Sequence, residues 1–199
     1  MRALGYACLL ASWALVAGCC SAPTSEDWLA VGYRTPEQTF LAFQTGLRAD
    51  LPELEYRCLG ADLKHRIGGS LLAYVEFRRE LFSHQPLLKL ACKAKIQRVE
   101  KLGPERVRVV AKVDTWFHDE TFSVELVRED FYEIYVDGKR AADDFADWQR
   151  IARERDGKLV VSVPLPEGMK TEEIGELRVG SEWKIDGFPL DPEAGEMVP

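Results

Sequence analysis

The sequence predicts an α+β fold, with N-terminal helices packed on a curved antiparallel sheet. Three observations predict it. Apolar residues recur at helical spacing from Thr35 to about Pro86. From about Cys92 the apolar period falls to two. Gly and Pro then punctuate the chain at short intervals, which suits a meander of strands after a helical half.

The helices come first. Thr35 is placed to N-cap a helix, with Pro36 at its first position and Gln38 completing a capping box. Phe40, Phe43 and Leu47 follow on one face. Asp50 reads as a second N-cap, ahead of Leu51, Leu54 and Cys58, with Gly60 as the stop. Asp62 to Ile67 reads as a further turn or short helix, ended by Gly68-Gly69. Ser70 caps the next helix, with Leu71, Tyr74, Val75 and Phe82 inward and Arg78, Arg79 and Glu80 toward water. Pro86 closes this half.

The strands follow. Cys92 to Lys101 pairs across Gly103-Pro104 with a strand in which Val107, Val109, Ala111, Val113 and Phe117 alternate with Arg106, Arg108, Lys112 and Asp114. Phe122, Val124 and Leu126 begin another, and Phe131 to Val136 continues or follows it, ending at Asp137-Gly138. Ala141 to Arg155 reads as an extra helix inserted between strands, with Phe145, Trp148 and Ala152 on one face. Leu159 to Val163 is a strand. Leu177 to Val179 and Trp183 to Ile185 form a last hairpin around Gly180-Ser181-Glu182. The expected organisation is a leader over 1–18, a tether over 19–34, one domain over 35–189 and a flexible tail over 190–199.

The leader has one charge, Arg2, and an apolar run from Leu4 to Ala17, too short for a comfortable transmembrane helix of about 20 residues. Its end, Val16-Ala17-Gly18-Cys19, resembles the lipobox of bacterial lipoproteins. That resemblance implies a diacylglyceryl thioether on Cys19, cleavage before it and acylation of the new N-terminus. It places the protein in the cell envelope, on the periplasmic face. The next residue is Cys20 rather than the aspartate of an inner-membrane retention signal, which favours the outer membrane where there are two. Several acyl chains anchor a protein stably, whereas one does not.

Cleavage would leave 181 of 199 residues, and the loss of Arg2 would take the formal net charge from −7 to −8. The acidic balance argues against a nucleic-acid partner, which wants a basic face. It equally argues against electrostatic attachment to anionic lipid, so the acyl anchor must hold the protein to the membrane. Of five cysteines, Cys8 leaves with the leader and Cys19 takes the lipid. Cys58–Cys92 is a candidate disulfide in an oxidising compartment; the alternative is two separate buried thiols.

Two stretches resemble the nuclear transport factor 2 / ketosteroid isomerase-like superfamily. Thr35 to Phe43, with Gly46 to Asp50 and Tyr56 to Leu59, is similar to its first two helices, and Gly180 to Phe188 is similar to its final strand. The resemblance implies a cone-like sheet wrapped around a pocket, and a homodimer is common among such proteins. It does not imply an activity, because the superfamily includes enzymes, ligand binders and structural modules.

Catalysis in such a pocket needs a desolvated carboxylate or imidazole facing an oriented donor. His118 sits with Asp119 and Glu120, His65 lies three residues after Asp62, and His84 follows a helix end; each also reads as an ordinary surface or capping residue. Tyr56, Tyr74, Trp116 and Phe131 are candidate pocket residues, with core packing as the alternative. There is no phosphate loop, Gly-x-Ser-x-Gly or His-Glu-x-x-His, and neither cofactor nor metal is expected. The expectation is a non-catalytic, lipid-anchored protein that binds a small ligand or an envelope protein. The alternative is an anchored isomerase or dehydratase-type enzyme, which requires a buried Asp, Glu or His facing a Tyr or Trp donor.

Overall fold

The computed structural model describes residues 21–114, 119–145 and 152–188. Five helices lead: α1 (Ser25–Leu29), α2 (Pro36–Ala49), α3 (Pro52–Cys58), α4 (Ala61–Arg66) and α5 (Leu71–His84), with a 3₁₀ stretch over Pro86–Lys93. Strands β1 (Lys95–Lys101), β2 (Arg106–Asp114), β3 (Asp119–Val136), β4 (Lys139–Phe145), β5 (Ala152–Arg155), β6 (Lys158–Val161) and β7 (Glu176–Gly187) follow. The class is α+β, helices then an open antiparallel sheet.

β3 is the centre of that sheet. Residues 119–127 pair with β2 and residues 131–136 with β4. β7 pairs with residues 125–135. Because β7 overlaps both other partners, β2 and β4 share one edge of β3 and β7 occupies the other. Register shifts at Ile96/Arg98, Glu125/Leu126 and Ile134/Tyr135 bend the strands locally.

The core lies between α2 and the inner sheet face. Phe40 and Phe43 pack with Val107, Val109, Ala111 and Val113 of β2, Val124 and Leu126 of β3, and Ile185 of β7. Polar contacts fix how α2 lies. The Thr39 hydroxyl donates to the Trp183 carbonyl at 2.8 Å, and Gln44 donates to the Ala91 and Ala94 carbonyls at 2.7 Å each. Two caps stand where the sequence places them: Thr35 accepts from the Gln38 N–H, and Ser70 from the Ala73 N–H.

Several expectations change. The segment read as an inserted helix, Ala141 to Arg155, contributes Ala141–Phe145 to β4 and Ala152–Arg155 to β5; residues 146–151 lie outside the described set. The reason is turn chemistry. Asp137 and Gly138 both have positive φ (49° and 73°), as do Asp156 and Gly157 (55° and 70°). Two-residue turns of this kind reverse a strand into a hairpin. The final hairpin is instead one continuous strand, β7, with Gly180 opposite Phe131. A Cβ on Gly180 would meet the Phe131 ring at 3.0 Å, so that glycine admits the ring rather than turning the chain. Asp50 is not an N-cap but the left-handed residue ending α2 (φ 53°), and Pro52 starts α3. Trp28, on α1, is 44% exposed.

Cys58 has a free, fully buried thiol, whereas Cys92 is in a disulfide, so the two do not pair with each other. The Cys58 Sγ donates to the Leu54 carbonyl at 3.2 Å inside its own helix. Cys19, the expected lipid site, lies outside the described residues.

Candidate functional site

A cavity of about 450 Å³ opens between α2, α5, the 3₁₀ stretch and the start of β3. Its origin can be read from α5. Leu71, Tyr74, Phe77, Arg78, Leu81 and Phe82 form a single inward stripe at helical spacing, yet only Tyr74 is buried. Phe77, Arg78, Leu81 and Phe82 are half-buried because part of what they face is open space. Phe40, Phe43 and Leu47 of α2 line the opposite wall, and Phe122 and Val124 of β3 complete it. Phe188, just past β7, also lines the space and leans on Phe43 with ring centroids 5.5 Å apart. Polar groups lie among the lining residues: His84, Gln85, Glu120 and Thr121.

Behind Tyr74 and Arg78 lies a buried charge. Glu55 is fully buried. Its Oε2 accepts from the Tyr74 hydroxyl at 2.6 Å and from Arg78 Nε at 2.8 Å. Arg78 reaches on to the Asp50 carboxylate at 2.8 Å. Glu55 Oε1 has no hydrogen-bond partner among the described residues. Burial pushes the Glu55 pKa above the usual carboxylate range, against the opposing pull of Tyr74 and Arg78. Burial, together with the adjacent Glu55 carboxylate, also pushes the Tyr74 phenol up. Tyr74 and Arg78 line the cavity and Glu55 does not. The Tyr74 hydroxyl donates to Glu55, so it is already committed to that carboxylate.

Of the four residues expected to line a pocket, Tyr74 does. Tyr56 packs behind it, ring centroids 5.9 Å apart, and under Lys64, whose Nζ is 4.9 Å from the Tyr56 ring. Phe131 sits on β3 opposite Gly180. Trp116 and His118 lie outside the described residues. His65 is exposed on α4. His84 is exposed at the end of α5, its Nδ1 2.9 Å from the Glu80 carbonyl. Among the described residues no group of His, Cys, Asp or Glu is arranged to hold a metal ion.

Glu55 and Arg78 are the residues the sequence reading missed, and a signal for them existed. Leu51, Leu54, Glu55 and Cys58 stand at i, i+3, i+4 and i+7, so Glu55 falls inside an apolar stripe. Arg78 falls in the same way on the stripe of Leu71, Tyr74 and Phe82. A charge on each of two facing stripes marks a buried pair.

No family model, curated protein or solved structure matches the chain.

Proposed function

We propose that this chain is a lipid-anchored envelope protein whose domain holds a small apolar ligand in the cavity between α2, α5 and β3, without catalysis. The observation behind the reading is the cavity: about 450 Å³, with Phe40, Phe43, Phe77, Phe82, Phe122 and Phe188 on its wall and polar side chains in the minority. Small-molecule sites commonly have this size and this mixture. The lipobox-like Val16-Ala17-Gly18-Cys19 supports the anchor. The cone-like closure and the likeness to the ketosteroid isomerase-like superfamily are supported by the order of elements, the register shifts of β4 and β7 against β3, and a cavity between the first long helix and the sheet.

A second reading, an isomerase or dehydratase-type enzyme, is favoured by one observation: a fully buried carboxylate hydrogen-bonded to a tyrosine. Binding is preferred because Glu55 accepts from both Tyr74 and Arg78 and stands behind the cavity wall.

The test is titration of the purified protein with a solvatochromic apolar dye, alongside an Ala91→Phe variant. Ala91 lines the cavity, and a phenyl group there fills part of it. One-to-one binding is expected, weakened at least tenfold in the variant with its circular dichroism unchanged. Equal binding by both proteins would remove the cavity from the argument.

A further inference from the structure

The geometry points to α1 as a membrane-contacting element, its Trp28 and Leu29 seated in the interfacial zone of the bilayer that holds the anchor. This rests on the reading of Cys19 as an acylation site.

The way α1 is held is the first observation. A five-residue helix has no stability of its own, and none of the residues of α1 is buried. Polar contacts cap it and fasten it to α2. Thr24 and Asp27 form a capping box at its start. Arg48 of α2 grips both Asp27 oxygens, Nη1 to Oδ2 at 3.0 Å and Nη2 to Oδ1 at 2.8 Å. That bidentate pair holds the Asp27 carboxyl down to about 2. A helix fixed in this way leaves its apolar side chains outside. Leu29 is 88% exposed, the most exposed large apolar side chain among the described residues, and Trp28 is 44% exposed beside it. The next apolar residues, Val31 and Tyr33, turn back onto the core. An outward Trp-Leu pair on a fixed element needs a partner.

The position of α1 in the chain identifies that partner. Only residues 20–24 separate Cys19 from α1. Fully extended, six Cα steps from Cys19 to Ser25 span at most roughly 20 Å. With acyl chains on Cys19, α1 cannot leave the neighbourhood of the headgroups. Tryptophan favours that zone, where its ring meets acyl carbon and its N–H meets water. The contact is apolar rather than electrostatic, since the chain is acidic and α1 itself adds Glu26 and Asp27.

The experiment uses full-length protein, purified from the membranes of its expression host and reconstituted into phosphatidylcholine vesicles with bromines near the top of the acyl chains. Mass spectrometry of the N-terminal peptide reports acylation. The Trp28 signal is the difference in emission between wild type and Trp28→Phe. Acylated protein should show Trp28 emission blue-shifted and quenched by bromine, and Leu29→Glu should cut that quenching at least twofold. Acylated protein whose Trp28 emission is neither shifted nor quenched overturns the docking and leaves the anchor standing. An N-terminal peptide without lipid overturns the anchor, and the docking with it.

Discussion

Replacing Arg78 with methionine isolates the cost of the buried charge behind the cavity. Methionine keeps an apolar stem of similar reach and removes the guanidinium, which also lies over the Phe82 ring, 5.2 Å from its centroid. Glu55 is fully buried, and among the described residues its Oε2 accepts from Tyr74 and Arg78 while Oε1 has no hydrogen-bond partner. Removing Arg78 leaves a carboxylate held by one tyrosine. Breaking a buried pair from one side costs about 3–5 kcal/mol. The Arg78 side chain is 18% exposed, so water enters with its loss and the low end, about 3 kcal/mol, applies. In a domain of this size that lowers Tm by roughly 6–12 °C. The cost depends on pH in a defined direction. The Glu55 pKa already lies above 4.5 through burial, and loss of Arg78 raises it further. A raised folded-state pKa makes stability fall as pH rises through it and recover as pH drops toward the unfolded value. Urea denaturation should therefore show a large penalty at pH 8 and a smaller one at pH 5. Glu55→Gln combined with Arg78→Met should recover part of the loss at pH 8. A penalty under 1 kcal/mol at pH 8, or one equal at both pH values, would refute the reasoning.

Three further outcomes are expected. Gly46→Ala should cost about 1–3 kcal/mol by chemical denaturation, since a Cβ there would stand 2.8 Å from Glu55 Cγ and 3.1 Å from the Glu55 nitrogen; a neutral substitution means α2 and α3 approach less closely. The Cys58 thiol, pushed up to about 12 by burial, should resist alkylation at pH 8 in the native protein and react fully in denaturant, as counted by mass spectrometry. Asp27, held down to about 2 chiefly by its hydrogen bond with Arg48, contributes stability above about pH 4 that is lost as pH falls through 2; an NMR titration placing its pKa near 4 removes the Arg48 grip on α1.

Periodicity made the helical half and the first hairpin legible. Phe40 and Phe43 on α2, and Val107, Val109, Ala111 and Val113 on β2, are core residues as their spacing requires. The last third misled where composition and turn chemistry disagreed. Ala141 to Arg155 is rich in alanine and charge, which suits a helix in isolation. Asp137-Gly138 ahead of it and Asp156-Gly157 after it outweigh that preference, because two successive residues at positive φ commit the chain to reverse. Gly180 was ambiguous for a related reason. A glycine in a strand marks either a turn or the close approach of a neighbour, and only the position of Phe131 decides between them. The cavity was not legible, because an apolar residue beside open space and one packed against a partner look the same in sequence. The buried Glu55–Arg78 pair was legible in its parts, but Arg78 was assigned to water by its charge rather than inward by its place on the stripe.

β7 has a consequence for the timing of folding. Its residues fasten the N-terminal helices to the sheet: the Trp183 N–H donates to the Tyr33 carbonyl at 2.7 Å, the Gly60 N–H to the Ile185 carbonyl at 2.7 Å, and Leu59 bridges Ile185. These contacts join parts of the chain more than a hundred residues apart, and contacts that distant form slowly. A chain emerging N-terminus first exposes α2 and its phenylalanines long before the strand that locks them arrives. Until about residue 187 has emerged, the N-terminal helices lack their final clasp. A chain ending short of Trp183 lacks all of these contacts and should never set.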